Sequence, residues 1–475
     1  MTIINLKKQL FLYLILLLGI FGTTVSCKKM KGFSNDNLNF SLDTVVFDTV
    51  FTTIGSATKQ FKIYNPSNKT VKIENIELMG GENSPFKINI DGLTGTSMSD
   101  ITLEAKDSLF AFVMVTLKVN NSSNPMVIED SIRFRTNGKD QYIQLAVWGQ
   151  DMYYHYTSFD KGIYDFNNDV TWPNDKPHLV YGAAIVDSAK SLTIQQDTKV
   201  YLHKNAYLFV YKGKLDIQGT KDHEVEFRGD RLESEFNDSQ GQYYGIYFHE
   251  AQTSNINYTN IYNGTAGIHL FSEDSSNPGY TLTISNSKIY NHSSYGIWIY
   301  AGAKVKAENC LIANNGVHAL FVLGGSKFNF NYCDIVGYGT QANSTPALAI
   351  RNYYDENNTT IVRILQEGIL RNCVMYGNQS SEIAFDTLNP NNDPSLISLD
   401  FKNCLIKRSS IGTDNFYNSG MIWNQEPLFV DNSLMNFHFY SSSPLNNSGI
   451  ANSVISDLDG NNRSVSFPDI GCYEN

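Results

Sequence analysis

The stretch Gly296-Ile-Trp-Ile-Tyr-Ala-Gly-Ala-Lys-Val-Lys-Ala-Glu-Asn-Cys-Leu-Ile312 contains two phrases that keep returning. Its closing phrase, Cys310-Leu311-Ile312, recurs as Thr259-Asn260-Ile261, Ser287-Lys288-Ile289, Cys333-Asp334-Ile335, Cys373-Val374-Met375 and Cys404-Leu405-Ile406. Asn286, Asn309, Asn372 and Asn403 stand just before four of these copies. Its opening phrase, Gly296-Ile-Trp-Ile, recurs as Gly245-Ile-Tyr-Phe, Gly267-Ile-His-Leu and Gly316-Val-His-Ala. Short strands of this kind, with no helical stripe between them, specify a parallel β-solenoid in which each turn buries the rim of the last.

Successive strand residues point to opposite faces. Ile246, Phe248, Ile268, Leu270, Ile297, Ile299, Val317 and Ala319 are therefore expected inside. Their neighbours form two outward columns. One reads Tyr247, His269, Trp298, His318; the next reads His249, Phe271, Tyr300, Leu320. Ala349 with Arg351, then Ala384 with Asp386, continue them. The asparagines fit bends, where their amides can stack and bond backbone groups. Wider spacing after Thr259 and after Cys333 predicts excursions over 272–279 and 338–366, and Asp355-Glu-Asn-Asn358 is read as a loop.

Working outward, residues 151–190 form a linker or solenoid N-cap, 191–440 the solenoid and 441–475 a C-terminal cap. From 38 to 150 the pattern changes to period-two strands such as Lys59-Gln-Phe-Lys-Ile-Tyr64 and Gln141-Tyr-Ile-Gln-Leu-Ala-Val147. Turn-rich stretches, among them Asn65-Pro-Ser-Asn68, separate them. Alternation bounded by turns specifies an antiparallel sandwich. There is no Cys…Trp…Cys pin.

The N-terminus reads as a signal peptide over 1–26: basic Lys7-Lys8, an apolar run from Leu10 to Phe21, then small residues. Val25-Ser26-Cys27 resembles the end of a lipobox. Cys27 is the expected lipid attachment, and 27–37 a tether. Multiple acyl chains on one residue anchor stably, each buried methylene contributing roughly 0.8 kcal/mol. The formal charge of -11 argues against nucleic acid. Four of the remaining cysteines occupy one repeat position. They are expected as stacked free thiols, with a Cys310–Cys333 bridge the alternative that an oxidising compartment permits. Cys472 has no evident partner, and no Cys-x-x-Cys site occurs.

Three resemblances follow from these residues. Phe61-Lys-Ile-Tyr-Asn-Pro-Ser-Asn-Lys-Thr-Val-Lys-Ile73 and the later Phe86-Lys-Ile88 resemble immunoglobulin-like domains of the ASPM/SPD-2/Hydin type, which implies a spacer or adhesion role. The ending Pro468-Asp-Ile-Gly-Cys-Tyr-Glu474 resembles the Pro-x-Ile-Gly-x-Tyr-Glu close of exported lipoproteins of Bacteroidetes type. Together with Cys27 and the Gly-Ile-x-x coils, it implies an all-β chain: an Ig-like β-sandwich followed by a right-handed single-stranded parallel β-helix of the pectate-lyase-like kind. That family implies an outer-membrane lipid anchor, with the membrane side open, because Lys28-Lys-Met-Lys31 lacks acidic residues. Asp-Ser/Thr-apolar triplets such as Asp43-Thr-Val45 resemble that group's O-glycosylation motif. The fold is shared with polysaccharide-active enzymes, and fold does not transmit function.

Tyr247, His249, His269, Phe271, Trp298, Tyr300 and His318 form the candidate ligand-binding stripe, with Arg351 and Asp386 as secondary candidates. Aromatic faces suit sugar rings, while imidazole and phenol groups supply hydrogen bonds. A protein interface and simple local packing remain open. No catalytic set can be assembled, since hydrolysis needs two carboxylates about 5–9.5 Å apart and the first four rungs carry none outward. The expectation is a non-enzymatic envelope protein that binds glycan or protein; the alternative is a polysaccharide lyase or glycoside hydrolase. No cofactor or metal is expected. The oxygen-rich Asp355-Glu-Asn-Asn358 and Asp457-Leu-Asp-Gly-Asn-Asn462 leave calcium as a minor option.

Overall fold

The computed structural model describes residues 32–119, 125–156, 168–273, 279–339, 345–389, 393, 395–410 and 415–475. Cys27 and the expected signal lie outside the described residues, as do the tips of two expected excursions, 274–278 and 340–344. Apart from the short segment 120–125, one compact unit ends at Gly149 and a second begins at Gln150. Among the described residues, no helix is long and apolar enough to cross a membrane.

Among the described residues the first unit is two five-stranded antiparallel sheets. One contains Lys59–Tyr64 and Ser108–Val115; the other contains Val71–Leu78, Met126–Thr136 and Lys139–Gln150. The expected alternation places Phe61, Ile63, Val71, Ile73, Val113, Val115, Ile143, Leu145 and Val147 in one shared core. The Asn65 turn is pinned by its own side chain. Its buried amide donates to the carbonyls of Lys69, Leu103 and Glu104 and accepts from the backbone N–H of Ser67. This explains why Asn stands where the chain must turn between two sheets.

The second unit is a solenoid of three parallel sheets. Among the described residues the first has nine strands, from Val170–Trp172 to Ile397–Lys402. The second has eleven, from Tyr153–Tyr156 to Ile422–Trp423, and the third eight, from Ala183–Val186 to Ile383–Asp386. Parallel pairing therefore starts before Ser191. Tyr153–Tyr156 pairs with His178–Tyr181, and Val170–Trp172 with Ser191–Gln195. The described parts of 151–190, read as a linker or solenoid N-cap, thus contribute the earliest paired strands, with Trp172 buried in the core. The two prolines that obscure this, Pro173 and Pro177, sit just outside the strands.

Each repeated residue type has a physical cause. Ile261, Ile289, Ile312, Ile335, Met375 and Ile406 stand over one another inside the second sheet. All are buried, and each such side chain contributes roughly 1.5–3 kcal/mol. The residue before each phrase makes the bend in the left-handed region, with φ of 51°, 51°, 52° and 50° at Asn286, Asn309, Asn372 and Asn403. Asn tolerates this conformation better than other side chains. The side chain of the first residue of the phrase donates a hydrogen bond to the carbonyl two residues back. Thr259, Ser287, Cys310, Cys333, Cys373 and Cys404 all do so. Hydroxyl and thiol are interchangeable there, and the four cysteines are free and buried.

The asparagine bend also carries the C-terminal segment. Asn403 donates to the Ser448 carbonyl at 3.1 Å, Asn372 to Ile450 at 3.0 Å and Asn309 to Ser456 at 2.7 Å. The side-chain amides of Asn331 and Asn452 donate hydrogen bonds to each other. Residues 448–456 therefore run back along successive coils as a strap, so 441–475 lies along the side of the solenoid. The closing motif locks this strap. Arg463 lies 3.8 Å over the Tyr332 ring and donates to Asn309, Gly471 and Glu474. Ile470, Cys472 and Tyr473 pack with Leu311, Val336 and Val374 on the outside of the second sheet. Cys472 does have a partner: its thiol donates to Asp334 Oδ2 at 3.1 Å. Asp457, read as a calcium option, accepts the backbone N–H groups of Asn461 and Glu474.

Asn372 tests the strap. Its amide spans Asn331 and Ile450, and its backbone needs positive φ. Asn372→Gly should lose about 1–3 kcal/mol for the unmet buried groups. Asn372→Ala should lose roughly 1–2 kcal/mol more for the backbone. Equal denaturation midpoints for the two variants would refute this account of the bend.

Asp334 gives a pH signature. Burial pushes its carboxyl up to about 7, partly offset by the Cys472 thiol. A raised folded value means the folded state holds the proton longer, so stability falls as pH rises from about 4 through 7. Asp334→Asn removes the titration. Its melting temperature relative to the parent should rise between pH 5 and pH 8, by an amount corresponding to about 1–3 kcal/mol; a constant difference would contradict this.

Candidate functional site

The third sheet presents the aromatic residues. Gly245 opens its strand, and Gly267 and Gly296 stand second in theirs, because the bend leaves no room. A Cβ on Gly245 would stand 1.8 Å from the Ala266 carbonyl oxygen, and one on Gly296 would stand 2.5 Å from that of Ala319. From this corner Ile246, Ile268 and Ile297 turn inward and Tyr247, His269 and Trp298 outward, in register.

The next rung corrects the sequence reading. Ile297 pairs with Leu320, Trp298 with Phe321 and Tyr300 with Leu323. Ala319 takes the glycine slot, not Gly316, so the copy is shifted by three residues. Leu320 points inward and is fully buried, while Val317 is half-buried. His318 falls opposite Tyr295 at the corner and donates from Nδ1 to the Pro346 carbonyl at 2.6 Å. The columns thus read Phe209, Tyr247, His269, Trp298, Phe321, Ala349, Ala384 and Tyr211, His249, Phe271, Tyr300, Leu323, Arg351, Asp386. Phe209, Tyr211 and Phe321 were missed. Tyr207-Leu-Phe-Val-Tyr211 has the right alternation but lacks the Gly-Ile signature.

The rings stand in a ladder. Tyr247 and His269 lie 4.4 Å apart at 15°, and His269 and Trp298 lie 4.2 Å apart at 3°. His249 and Phe271 are stacked at 4.8 Å. Rungs repeat about every 4.8 Å, so neighbouring rings cover one another's faces and present their edges outward. Beside this ladder lies a groove of about 510 Å³. Phe209, Tyr247, His269 and Trp298 form one side. Tyr207, Tyr244, Tyr295, Thr265 and Ser294 complete it. Tyr244 is the most open of the groove's aromatics at 54% exposure and meets Tyr207 edge-on at 6.1 Å.

The groove is uncharged. None of its lining residues is Asp, Glu, Lys or Arg. Burial, with a lesser contribution from His249, holds the His269 imidazole down at about 4, so it is neutral near pH 7. Burial likewise raises the phenols of Tyr207, Tyr247 and Tyr295. Acid–base cleavage of a glycosidic bond inside it therefore lacks both carboxylates.

Arg351 and Asp386 do share a face. Their strands pair at these two residues, and Arg351 Nε lies 3.2 Å from Asp386 Oδ2. Tyr353 donates to the same carboxylate at 2.9 Å and lies under the guanidinium. Asp386 is mostly exposed, and surface pairs of this kind contribute about 0–1 kcal/mol. The Asp355 segment is not a loop but a hairpin. Tyr353–Glu356 pairs with Thr359–Val362 around Asn357-Asn358, both at positive φ. Its Tyr354 packs edge-on against Tyr300 at 5.5 Å. Among the described residues, no three His, Cys, Asp or Glu side chains gather as metal ligands.

Comparison with known proteins adds the following. No curated protein matches the chain. Three solved structures are similar only at low scores. A family 123 glycoside hydrolase from Clostridium perfringens is 10% identical over 24% of this chain and 26% of its own, with a TM-score of 0.18. A human CEP192 ASH/PapD-like domain is 9% identical over 24% and 85%, with a TM-score of 0.17. The catalytic domain of a GH87 α-1,3-glucanase, in complex with nigerose, is 9% identical over 74% and 82%, with a TM-score of 0.15. Scores this low carry no argument about fold or activity. The family description "Right handed beta helix region", by contrast, matches residues 162–335 and 241–455, which together exceed half of the chain. With three parallel sheets wound in register over the same residues, the chain belongs to the right-handed β-helix family.

Proposed function

We propose that this is a non-enzymatic envelope lipoprotein whose β-helix binds glycan through the groove beside Tyr247, His269 and Trp298. The observation that carries this reading is the groove itself. It is open, aromatic-walled and sized for a small ligand, and it holds no carboxylate with which to cleave one. Aromatic side chains with polar tips suit ligands that alternate apolar and hydroxylated surface. Cys27 supplies the lipid anchor in the outer membrane. The two-sheet N-terminal unit serves as an immunoglobulin-like spacer of the ASPM/SPD-2/Hydin type, a role supported by its antiparallel strands and shared core.

A screen of the mature, unlipidated protein on a broad glycan array tests the binding role. Retention of at least one glycan is expected. Trp298→Ala should weaken it roughly tenfold or more, because removing the middle ring unseats His269 and opens the wall. Unchanged affinity in a folded Trp298→Ala variant would remove the site from this groove. Absence of any glycan binding would move the reading to a protein partner.

The anchor has its own test. Mass spectrometry of the N-terminal peptide from cell envelopes should find Cys27 acylated, and Cys27→Ala should shift the protein to the soluble fraction. An unmodified Cys27 would end the lipoprotein reading.

A further inference from the structure

We infer that the groove takes an uncharged, polyhydroxylated ligand, a short neutral oligosaccharide, and that Tyr244 rather than Trp298 makes the deciding contact. This rests on the reading of the groove as a glycan site and sets its ligand class.

The chemistry of the lining narrows the ligand. Tyr207, Tyr244, Tyr247 and Tyr295, which carry phenols, and Thr265 and Ser294, which carry alcohols, are among the residues that line the groove. None of these six hydroxyls bonds another described residue, although the backbone N–H groups of Thr265 and Ser294 are paired within the sheet. Hydroxyls that reach a mostly apolar groove can both donate and accept. A sugar presents the same mixture of hydroxyls and apolar C–H patches. An acidic sugar needs a cation or a charged donor to replace its lost hydration, and the groove has neither. His269 supplies no charge, being neutral at working pH.

The ring geometry decides which aromatic matters. His269 covers a face of Trp298, and Phe321 stacks obliquely on the other side at 6.0 Å. Trp298 Nε1 is buried and has no hydrogen-bond partner among the described residues. Trp298 is therefore a positioning residue that holds the wall upright. Tyr244 is half-exposed and is not stacked face-to-face; among the described residues its ring meets Tyr207, at 76°. Its exposed ring is therefore free to meet a sugar ring.

Calorimetry on the full mature chain tests this, using neutral hexasaccharides of glucose, xylose and mannose in several linkages beside oligogalacturonate and sialyllactose. At least one neutral ligand should bind, with the acidic ones weaker by about tenfold or more. Tyr244→Ala should lose roughly tenfold. Tyr244→Phe should lose about threefold to tenfold, near one hydrogen bond. Trp298→Phe, which keeps a ring in the stack, should lose less than Tyr244→Ala; a larger loss than Tyr244→Ala would make Trp298 the deciding contact. An acidic ligand that binds best, and is lost in Tyr244→Ala, would keep the glycan site and overturn its neutrality. Parent-like binding by both folded Tyr244 variants would overturn the role of Tyr244. Failure of every saccharide would overturn the glycan reading itself, and this inference with it.

Discussion

Parallel strands hydrogen-bonded in register fix every side chain over its equivalent, about 4.8 Å away. Almost everything distinctive in the second unit follows from that one spacing. Inside, it stacks Ile261 through Ile406 into an unbroken apolar column. At the bend it sets amide on amide, with Asn309 donating to Asn286 at 3.1 Å and Asn286 to Asn257 at 3.0 Å. Outside, it presses Tyr247, His269 and Trp298 into a ladder of rings. The same distance thus serves three chemistries, because an amide, a methyl-bearing chain and an aromatic ring all tolerate a twin at that separation.

A stack of bends also leaves a problem, because each amide has bonding capacity beyond its neighbour. The C-terminal strap answers it by laying backbone carbonyls from Ser448 to Ser456 along the asparagines. The closing motif then becomes intelligible as a fastener. Arg463 is buried, so its charge needs the Glu474 carboxylate at 3.2 Å and the Tyr332 face. Glu474 in turn accepts the N–H groups of Ser464 and Asp469. Residues far apart in sequence are tied at one point, which accounts for so specific a phrase at the end of the chain.

The solenoid was legible in the sequence because its repeats are both local and chemical. Cysteine, serine and threonine in one slot read as a repeat before any reason for the slot was known. The register slip at Gly316 shows where such reading stops. Glycine and alanine answer the same lack of room, so Ala319 filled a slot that pattern alone assigned to glycine. The early turns before Ser191 were obscured by two prolines, and the strap by having no periodicity of its own. Of the site, the ring types and their outward direction were legible. Their tilt was not, because alternation says which way a side chain leaves the sheet and nothing about the plane of its ring.

That tilt changes what the surface can do. Rings lying flat on a sheet would offer their faces to a polymer all along the solenoid. Rings on edge offer a narrow rim, and binding must concentrate where another element leans over that rim to make a concavity. Here the leaning element is the segment before Gly245, which carries Tyr243 buried against the core and Tyr244 outward. Tyr243 donates to the Tyr262 carbonyl at 2.9 Å and so anchors the base from which Tyr244 projects. A ladder that is rigid by construction thus meets one aromatic held at an angle to it. That meeting, rather than the length of the stripe, gives the third sheet a place to hold a ligand.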